Sequence, residues 1–172
     1  MCLGKLLLTQ FLEANTMTPA IKTAEKAKIM FSVHQYEHDS SVASYGLEAS
    51  EKLGISAASV YKTLVASLDT GELVVAIIPV DKKLNLKAVA KASKAKKAKM
   101  ADPLDVERST GYILGGVSPL GQKKRLKTLL DDSAKAQSTI YVSAGRRGLE
   151  IELAPSDLIT LTKGLFTSLR AE

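Results

Sequence analysis

The sequence predicts an α+β fold with a mixed, largely antiparallel β-sheet. Helix-like and strand-like segments mix along the chain without the regular βαβ rhythm that builds a parallel sheet. The strand-like segments 60–68 and 73–80 are joined by the short turn DTGE, and the residues around 139–153 form a second predicted hairpin. With 172 residues, 45% of them hydrophobic, the chain is long enough for one domain with a substantial core.

The N-terminal part of the chain predicts a helix, a strand and a second helix. Over 18–31, apolar residues form a stripe between lysines, Thr18 can cap the helix, and Pro19 fits its first turn. The segment SVHQYEH at 32–38 alternates like a strand. The segment YGLEASEKLGI then predicts a short helix that ends at Gly54.

The remaining segments continue this mixture of elements. The run LVVAIIPV at 73–80 is apolar on both faces, which is typical of a strand in the middle of a sheet. GYILGGVSPLG predicts an irregular stretch, and KRLKTLLDD predicts a strand. We expect further helices at about 86–95, 102–110 and 155–162.

Cysteine usage and hydropathy narrow the class of protein. Cys2 is the only cysteine, which excludes an internal disulfide and a thiolate metal cluster. No apolar run approaches the roughly 20 residues of a membrane helix. These observations fit a protein of the reducing cytoplasm.

We expect residues 1–16 to be an extension outside the core fold and residues 17–172 to form the domain. A second methionine, Met17, opens the segment MTPAIKTAEK, where the first predicted helix begins. The residues before it lack the apolar core and cleavage site of a secretory signal. An extra N-terminal helix is the alternative.

Basic residues fall into three clusters. The stretch 82–99 contains eight lysines and no acidic residue, and Lys123–Arg125 and Arg146–Arg147 form the other two clusters. The net charge of +6 is a mild bias toward polyanions. The clusters predict either a solvated basic surface or sequence-independent binding of a phosphate backbone.

The segment GGVSPLG at 115–121 is the strongest candidate for a ligand-binding loop. Glycines let a backbone approach a ligand and expose its N–H groups, which can stabilise an oxyanion. The spacing matches neither of the common glycine-rich nucleotide-binding motifs. A tight connection between two strands is the alternative explanation.

Motifs for a protein nucleophile or a metal site are missing from the sequence. No G-x-S-x-G segment is present, and HQYEH does not have the spacing of the zinc motif H-E-x-x-H. His34 and His38 are the only histidines, so we expect them to be ordinary surface or packing residues and expect no metal site.

The predicted strand 60–68 carries a lysine on its more apolar face. Because side chains alternate, Lys62 shares a face with Leu64 and Ala66. Its stem can cover that face while the ammonium group reaches water, or the ammonium can point into a pocket and bind an anion or polarise a carbonyl. Periodicity alone leaves both possibilities open.

Five segments in combination indicate a family. In their order along the chain, the segments are MTPAIKTAEK, YEHD, VYKTLV, MADPLDVERSTGYILGGVSPLGQKKRL and IYVSAGRRGLEIEL. Together they resemble the YbaK-type Cys-tRNA(Pro)/Cys-tRNA(Cys) deacylases, relatives of the editing domain of bacterial prolyl-tRNA synthetases. The resemblance covers about 17–170. It implies a partly barrel-like sheet surrounded by helices, and hydrolysis of mischarged Cys-tRNA(Pro) in trans, without a cofactor.

The resemblance also assigns site residues. Lys62 would be the essential pocket lysine, and the N–H groups of Gly115 and Gly116 would stabilise the oxyanion. Substrate-binding roles fall to Tyr36, Tyr45, Thr63, Ser118, Pro119, Ser143 and Glu150. Glu150 stands where close relatives read GLD, and Tyr45 stands where relatives often carry phenylalanine. The chemistry implied is substrate-assisted, with the cysteinyl thiol attacking its own carbonyl, so no protein nucleophile is required.

The implied partners are the aminoacylated 3′ end of tRNA and prolyl-tRNA synthetase. In this interpretation the basic clusters hold phosphates of the tRNA through Lys94, Lys96, Lys97, Lys123, Lys124, Arg125, Arg146 and Arg147. The alternatives are a deacylase for another mischarged tRNA such as Ala-tRNA(Pro), and a non-catalytic module that binds tRNA or the synthetase. A general phosphate hydrolase is disfavoured, because paired metal-binding carboxylates are missing.

Overall fold

The computed structural model describes residues 17–42 and 44–172, so the predicted extension at 1–16 lies outside the described residues. The helices are α1 (Pro19–Ala27), α2 (Tyr45–Leu53), α3 (Leu86–Ala92), α4 (Pro103–Thr110) and α5 (Pro155–Thr162). The strands are β1 (Phe31–Gln35), β2 (Tyr61–Leu68), β3 (Leu73–Pro79), β4 (Ala98–Met100), β5 (Lys127–Asp131), β6 (Ile140–Arg146), β7 (Leu149–Leu153) and β8 (Leu165–Thr167). Short 3₁₀ helices cover Ala57–Ser59 and Asp132–Ala136.

The strands form two sheets, which confirms the predicted α+β class with mixed, largely antiparallel pairing. One sheet has the order β1-β7-β6 and is antiparallel throughout. The other has the order β4-β2-β3-β5-β8, in which β5 joins β3 and β8 in parallel and the other pairs are antiparallel. Among the described residues, an isolated parallel bridge between Val60 and Tyr141 connects the two sheets.

Helix α1 begins as predicted and ends earlier. The Thr18 side chain accepts a hydrogen bond from the N–H of Ile21, and Pro19 occupies the first turn. The apolar stripe is buried at Ala20, Ile21 and Ala24. Lys28 adopts a left-handed conformation with a φ of 55°, so the helix stops at Ala27 rather than continuing to 31. The apolar periodicity continues past this cap, which is why the pattern overstated the length.

The alternation predicted along β2 is present in the packing. Tyr61 and Val65 belong to the core between the two sheets, whereas Ala66 and Leu68 pack in a second core together with Val89 of α3. Strand β3 is buried on both faces at the centre of its sheet, as its continuous apolar run predicted. Each large aliphatic side chain buried in this way stabilises the fold by about 1.5–3 kcal/mol.

The open edge of β2 positions the cavity described below. Strand β4 pairs only with Ala66, Ser67 and Leu68, so the first half of β2 has no strand partner on that side. The Val60–Tyr141 bridge lies at the start of this gap, just before β2 begins. Within the described part of the chain, no helix is both long and apolar enough to cross a membrane.

Candidate active site

A cavity of about 250 Å³ lies between the first half of β2, the β6-β7 hairpin, the start of α2 and the loop after α4. Consecutive residues 60–64 all line it, so the cavity borders the edge of β2 rather than one of its faces. The lining includes six of the residues assigned from the family resemblance, namely Tyr45, Lys62, Thr63, Gly115, Ser143 and Glu150. Residues from distant parts of the sequence therefore meet in one place.

Lys62 is half-buried in the wall of this cavity. Burial lowers the pKa of its ammonium group, and the negative charge of Asp81 partly opposes this shift. The lysine therefore lines a pocket, which is one of the two positions that periodicity left open. A partly desolvated cation in a small cavity can bind an anion or polarise a carbonyl oxygen.

Glu150 is the buried carboxyl group among the described residues that line the cavity. It is 8% exposed, and burial raises the pKa of its carboxyl to about 8. No hydrogen bond or ion pair joins this carboxyl to another described residue, although Ser143 lies opposite it in the β6-β7 register. At neutral pH the group is therefore mostly protonated, and it can donate a hydrogen bond.

Thr63 presents unused polar groups to the cavity. Its Oγ1 is buried and has no hydrogen-bond partner among the described residues. The carbonyl of Val65 accepts a hydrogen bond from the N–H of Ala101 at 3.0 Å on the open side of β2. Because backbone groups alternate between the two edges of a strand, the N–H and C=O of Thr63 point to the same side, toward the cavity.

The glycine loop enters the cavity at Gly115, which has a φ of 86°. The N–H of Gly116 donates to the carbonyl of Ile113 at 3.0 Å, so in this conformation it is not available as the oxyanion donor that the family resemblance suggested. The amides of Gly115 and Val117 have no partner among the described residues, and both residues line the cavity. These two are the candidate donors of the loop.

Ser118 and Pro119, which the resemblance assigned to substrate binding, lie outside the lining of this cavity. Ser118 is fully buried, and its Oγ accepts a hydrogen bond from the N–H of Leu120 at 3.2 Å. Its carbonyl accepts one from the side chain of Gln122 at 2.9 Å. Pro119 lines a separate cavity of about 220 Å³. Both residues therefore belong to the part of the loop that faces away from this cavity.

Tyr36 was also assigned to the pocket and lies at its periphery. It does not line the cavity and packs against the small core formed by Ala49, Val60 and Val80. Burial raises the pKa of its hydroxyl to about 12, with smaller contributions from the charges of Glu150 and Glu48. Its hydroxyl is therefore neutral at physiological pH.

The residues assigned to tRNA binding lie in separate regions. The N–H groups of Lys96 and Lys97 donate to the carboxylate of Asp69, just beyond the end of β2 that is remote from Lys62. Asp69 lies seven positions after Lys62, a span of roughly 20 Å along an extended strand. Lys124 and Arg125 line the second cavity, and Lys123 packs near Gly111. Arg146 and Arg147 lie at the end of β6, beside the glycine loop.

The two histidines have structural partners. Nε2 of His34 lies 2.9 Å from Glu152, and Nδ1 of His38 lies 2.8 Å from Glu48. Within 17–42 and 44–172, no group of three or more His, Cys, Asp or Glu side chains is arranged to hold a metal ion. Each histidine is thus partly buried beside a glutamate carboxylate.

Sequence reasoning did not identify two charged residues that support the site. Glu48 is 2% exposed and is held by His38, by the N–H of Asp39 and by Lys52. Asp81 influences the pKa of Lys62. The helix period places Glu48 four residues before Lys52, but it gives no indication that this carboxylate is buried.

Comparisons with known proteins identify the family of this chain. The sequence model of the family described as "Aminoacyl-tRNA editing domain" matches residues 39–161. A protein of Enterococcus faecalis (strain ATCC 700802 / V583), named "Putative Cys-tRNA(Pro)/Cys-tRNA(Cys) deacylase EbsC", is 40% identical over 152 residues, which are 88% of this chain and 92% of that protein.

Two further similarities are more distant. The uncharacterized protein YwhH of Bacillus subtilis (strain 168) is 30% identical over 111 residues, 64% of this chain and 70% of that protein. A solved structure described as "a putative trans-editing enzyme for prolyl tRNA synthetase" has a TM-score of 0.78 at 20% identity and covers 93% of this chain and 98% of its own. The similarity to that solved structure shows that this chain has the same fold.

Proposed function

The chain belongs to the aminoacyl-tRNA editing domain family, and on that basis we propose that it hydrolyses the ester between a mischarged cysteine and tRNA(Pro). The observation that carries the proposal is the meeting of Lys62, Gly115 and Glu150 in one cavity of about 250 Å³. A related protein with 40% identity is named as a deacylase of Cys-tRNA(Pro) and Cys-tRNA(Cys). The second of these tRNAs is therefore included in the proposed substrate range.

The cavity supplies groups that match the polar atoms of an aminoacyl ester. The ammonium group of Lys62 binds an oxygen of the ester or of the terminal ribose. The N–H groups of Gly115 and Val117 stabilise the negative charge that develops on the carbonyl oxygen. One such donor typically contributes about 2.7–4 kcal/mol to the transition state. The open edge and hydroxyl of Thr63 offer further hydrogen bonds to the substrate.

The substrate provides the nucleophile. The cysteinyl thiol attacks the carbonyl carbon of its own ester, a C–S bond forms, and the C–O bond to the ribose breaks. The thiol proton passes to the departing ribose oxygen, which leaves tRNA with a free hydroxyl and a cyclic thioester of cysteine that water opens. This route is consistent with a cavity that has no Ser–His or Cys–His pair among its lining residues.

Glu150 takes part as a neutral acid in this proposal. Because its pKa is about 8, its carboxyl is mostly protonated at pH 7 and can donate a hydrogen bond to an ester or ribose oxygen. An ionised carboxylate at this position would instead repel the developing oxyanion. Deacylation therefore depends on Glu150 remaining protonated.

The basic clusters bind the body of the tRNA in this proposal. Lys96 and Lys97 lie roughly 20 Å along β2 from Lys62, a distance at which they can contact phosphates of the acceptor stem while its 3′ end occupies the cavity. We place this activity in the cytoplasm, in transient association with prolyl-tRNA synthetase. The charge of +6 supports binding of a polyanion.

The test is deacylation of Cys-tRNA(Pro) by the wild-type protein and by Lys62→Ala. Lys22→Ala is the matched control, because Lys22 is an exposed residue of α1 that does not line the cavity. The proposal predicts loss of deacylation in Lys62→Ala and wild-type rates in Lys22→Ala. Retention of activity in Lys62→Ala, with its fold confirmed by circular dichroism, would remove the lysine from the mechanism.

A further inference from the structure

The turn between β6 and β7 packs directly on the glycine loop. A Cβ atom on Gly115 would lie 2.7 Å from Nε of Arg147 and 2.8 Å from a ring carbon of Tyr45. A Cβ atom on Gly116 would lie 2.9 Å from the Cα of Arg146. All three distances are shorter than a Cβ atom tolerates, so the two glycines permit a contact that holds the loop against the hairpin.

Arg147 makes two different contacts, one with α2 and one with the glycine loop. Its guanidinium carbon lies 4.4 Å from the centroid of the Tyr45 ring, within the range of a cation–π interaction. Its Nη2 also donates to the carbonyl of Leu114 at 2.9 Å. The side chain thus joins the start of α2 to the residue that precedes Gly115.

The Tyr45 ring packs against His38, which a buried carboxylate holds in place. It lies 5.5 Å from the ring of His38, measured between centroids. Nδ1 of His38 contacts the carboxylate of Glu48 at 2.8 Å, and Lys52 contacts the same carboxylate at 3.0 Å. A chain of contacts therefore runs from the buried Glu48 through His38 and Tyr45 to Arg147 and the glycine loop.

We propose that Arg147 is a positioning residue for deacylation, and that it acts by holding the Leu114–Val117 segment in the conformation that presents its N–H groups to the cavity. This inference rests on the proposed function. The neighbouring Arg146 differs from Arg147, because its side chain has no hydrogen bond or ion pair with the described residues. Arg146 keeps the proposed role in phosphate binding. Arg147 thus supports the deacylation step, and Arg146 contributes to binding of the tRNA.

The first test compares Arg147→Ala with Arg146→Ala in steady-state deacylation of Cys-tRNA(Pro). Arg147→Ala is expected to lower kcat about tenfold to a hundredfold with little change in KM, because misplaced N–H donors of the loop stabilise the transition state less well. Arg146→Ala is expected to raise KM in a salt-dependent manner and to leave kcat near wild type. An equal, salt-dependent rise in KM for both variants would assign both arginines to phosphate binding and overturn the proposal.

The second test asks whether Arg147 acts through Tyr45. A double-mutant cycle with Tyr45→Leu is expected to be non-additive, with the double variant no slower than the slower single variant. Arg147→Lys keeps a cation above the ring and is expected to recover part of the missing kcat. Fully additive effects, or an Arg147→Lys rate equal to that of Arg147→Ala, would contradict the coupling.

A third measurement does not depend on catalysis. Hydrogen exchange of the full chain should show faster exchange at the amide of Gly116, whose N–H donates to the carbonyl of Ile113, in Arg147→Ala than in wild type and in Arg146→Ala. If exchange is faster in Arg147→Ala but the wild-type protein hydrolyses no ester, the coupling between Arg147 and the loop stands and the proposed function is rejected. Unchanged exchange together with an unchanged kcat in an active protein would reject the coupling alone.

Discussion

Lys62 and Glu150 line the same cavity, and burial shifts the pKa of each group toward its neutral form. The pKa of the lysine is lowered, and the pKa of the carboxyl is raised to about 8. Each group is charged more easily in water than in this cavity. Burying the two groups therefore lowers the stability of the native state. Strained or desolvated groups of this kind are concentrated at functional sites.

Replacing Lys62 by methionine should inactivate the protein and stabilise its fold. The lowered pKa means that the native state disfavours the ammonium form, so the charged lysine costs stability at every pH below its native pKa. Methionine fills a similar volume without a charge. The measurement is the urea midpoint at pH 7, with the exposed Lys22→Met as control. A lower midpoint for Lys62→Met than for wild type would contradict the prediction.

Stability should depend on pH through Glu150. Because its native pKa of about 8 lies above its unfolded value, the native state binds more protons between roughly pH 4.5 and pH 8, and stability falls as the pH rises through that range. Glu150→Gln stays neutral, so it should remove this decline. We expect Glu150→Gln to be more stable than wild type at pH 8.5, by up to a few kcal/mol, and similar to it at pH 4.5. Equal pH profiles of the two urea midpoints would argue against a buried, unpaired carboxyl.

Two glycine substitutions separate backbone strain from function. Gly54→Ala and Gly115→Ala both place a side chain at positive φ, 66° and 86° respectively, and each should cost about 1–2 kcal/mol. An added Cβ meets nothing within 4 Å at Gly54, whereas at Gly115 it meets Arg147 and Tyr45. We therefore expect both variants to be less thermally stable than wild type, with deacylation abolished only in Gly115→Ala. Comparable activity in the two variants would show that the close packing at Gly115 is dispensable.

Charge reversal at Lys96 and Lys97 should weaken tRNA binding without disturbing the fold. Their backbone N–H groups, rather than their side chains, contact Asp69, so the double Glu variant keeps its local structure. KM for Cys-tRNA(Pro) should rise, and the dependence of log K on log salt should flatten by about 0.7–0.9 for each phosphate that the protein no longer neutralises.

The matched control for this charge reversal is a double Glu variant at Lys22 and Lys26 on the exposed face of α1. It changes the net charge by the same amount at a surface with no proposed role in tRNA binding. An equal effect of the two double variants on KM would indicate a general charge effect instead of a binding surface.

The sequence was most informative where local patterns decide the structure. Alternation correctly separated the two faces of β2, with Val65 in one core and Ala66 in the other. The cap at Gly54 was visible as a glycine after a helical pattern. The end of α1 was missed because a left-handed lysine, Lys28, ends the helix where no glycine marks the stop.

The parts of the site that escaped prediction depend on contacts between distant residues. The stacking of Arg147 on Tyr45 joins positions more than a hundred residues apart, and periodicity carries no information about such a pair. The same holds for Gly116, whose N–H is occupied by the carbonyl of Ile113 in a turn that the composition of the loop does not specify. Sequence resemblance named six of the residues that line the cavity, and only the three-dimensional structure separates cavity-lining residues from those around them.

The most direct test of the central claim is deacylation of Cys-tRNA(Pro), Ala-tRNA(Pro) and Pro-tRNA(Pro) side by side under identical conditions. A substrate-assisted mechanism predicts rapid hydrolysis of the cysteinyl ester alone, because alanine and proline offer no thiol to attack the carbonyl. Preferential hydrolysis of the alanyl ester would contradict thiol assistance while retaining the enzyme, and stability of all three esters would contradict the proposed activity itself.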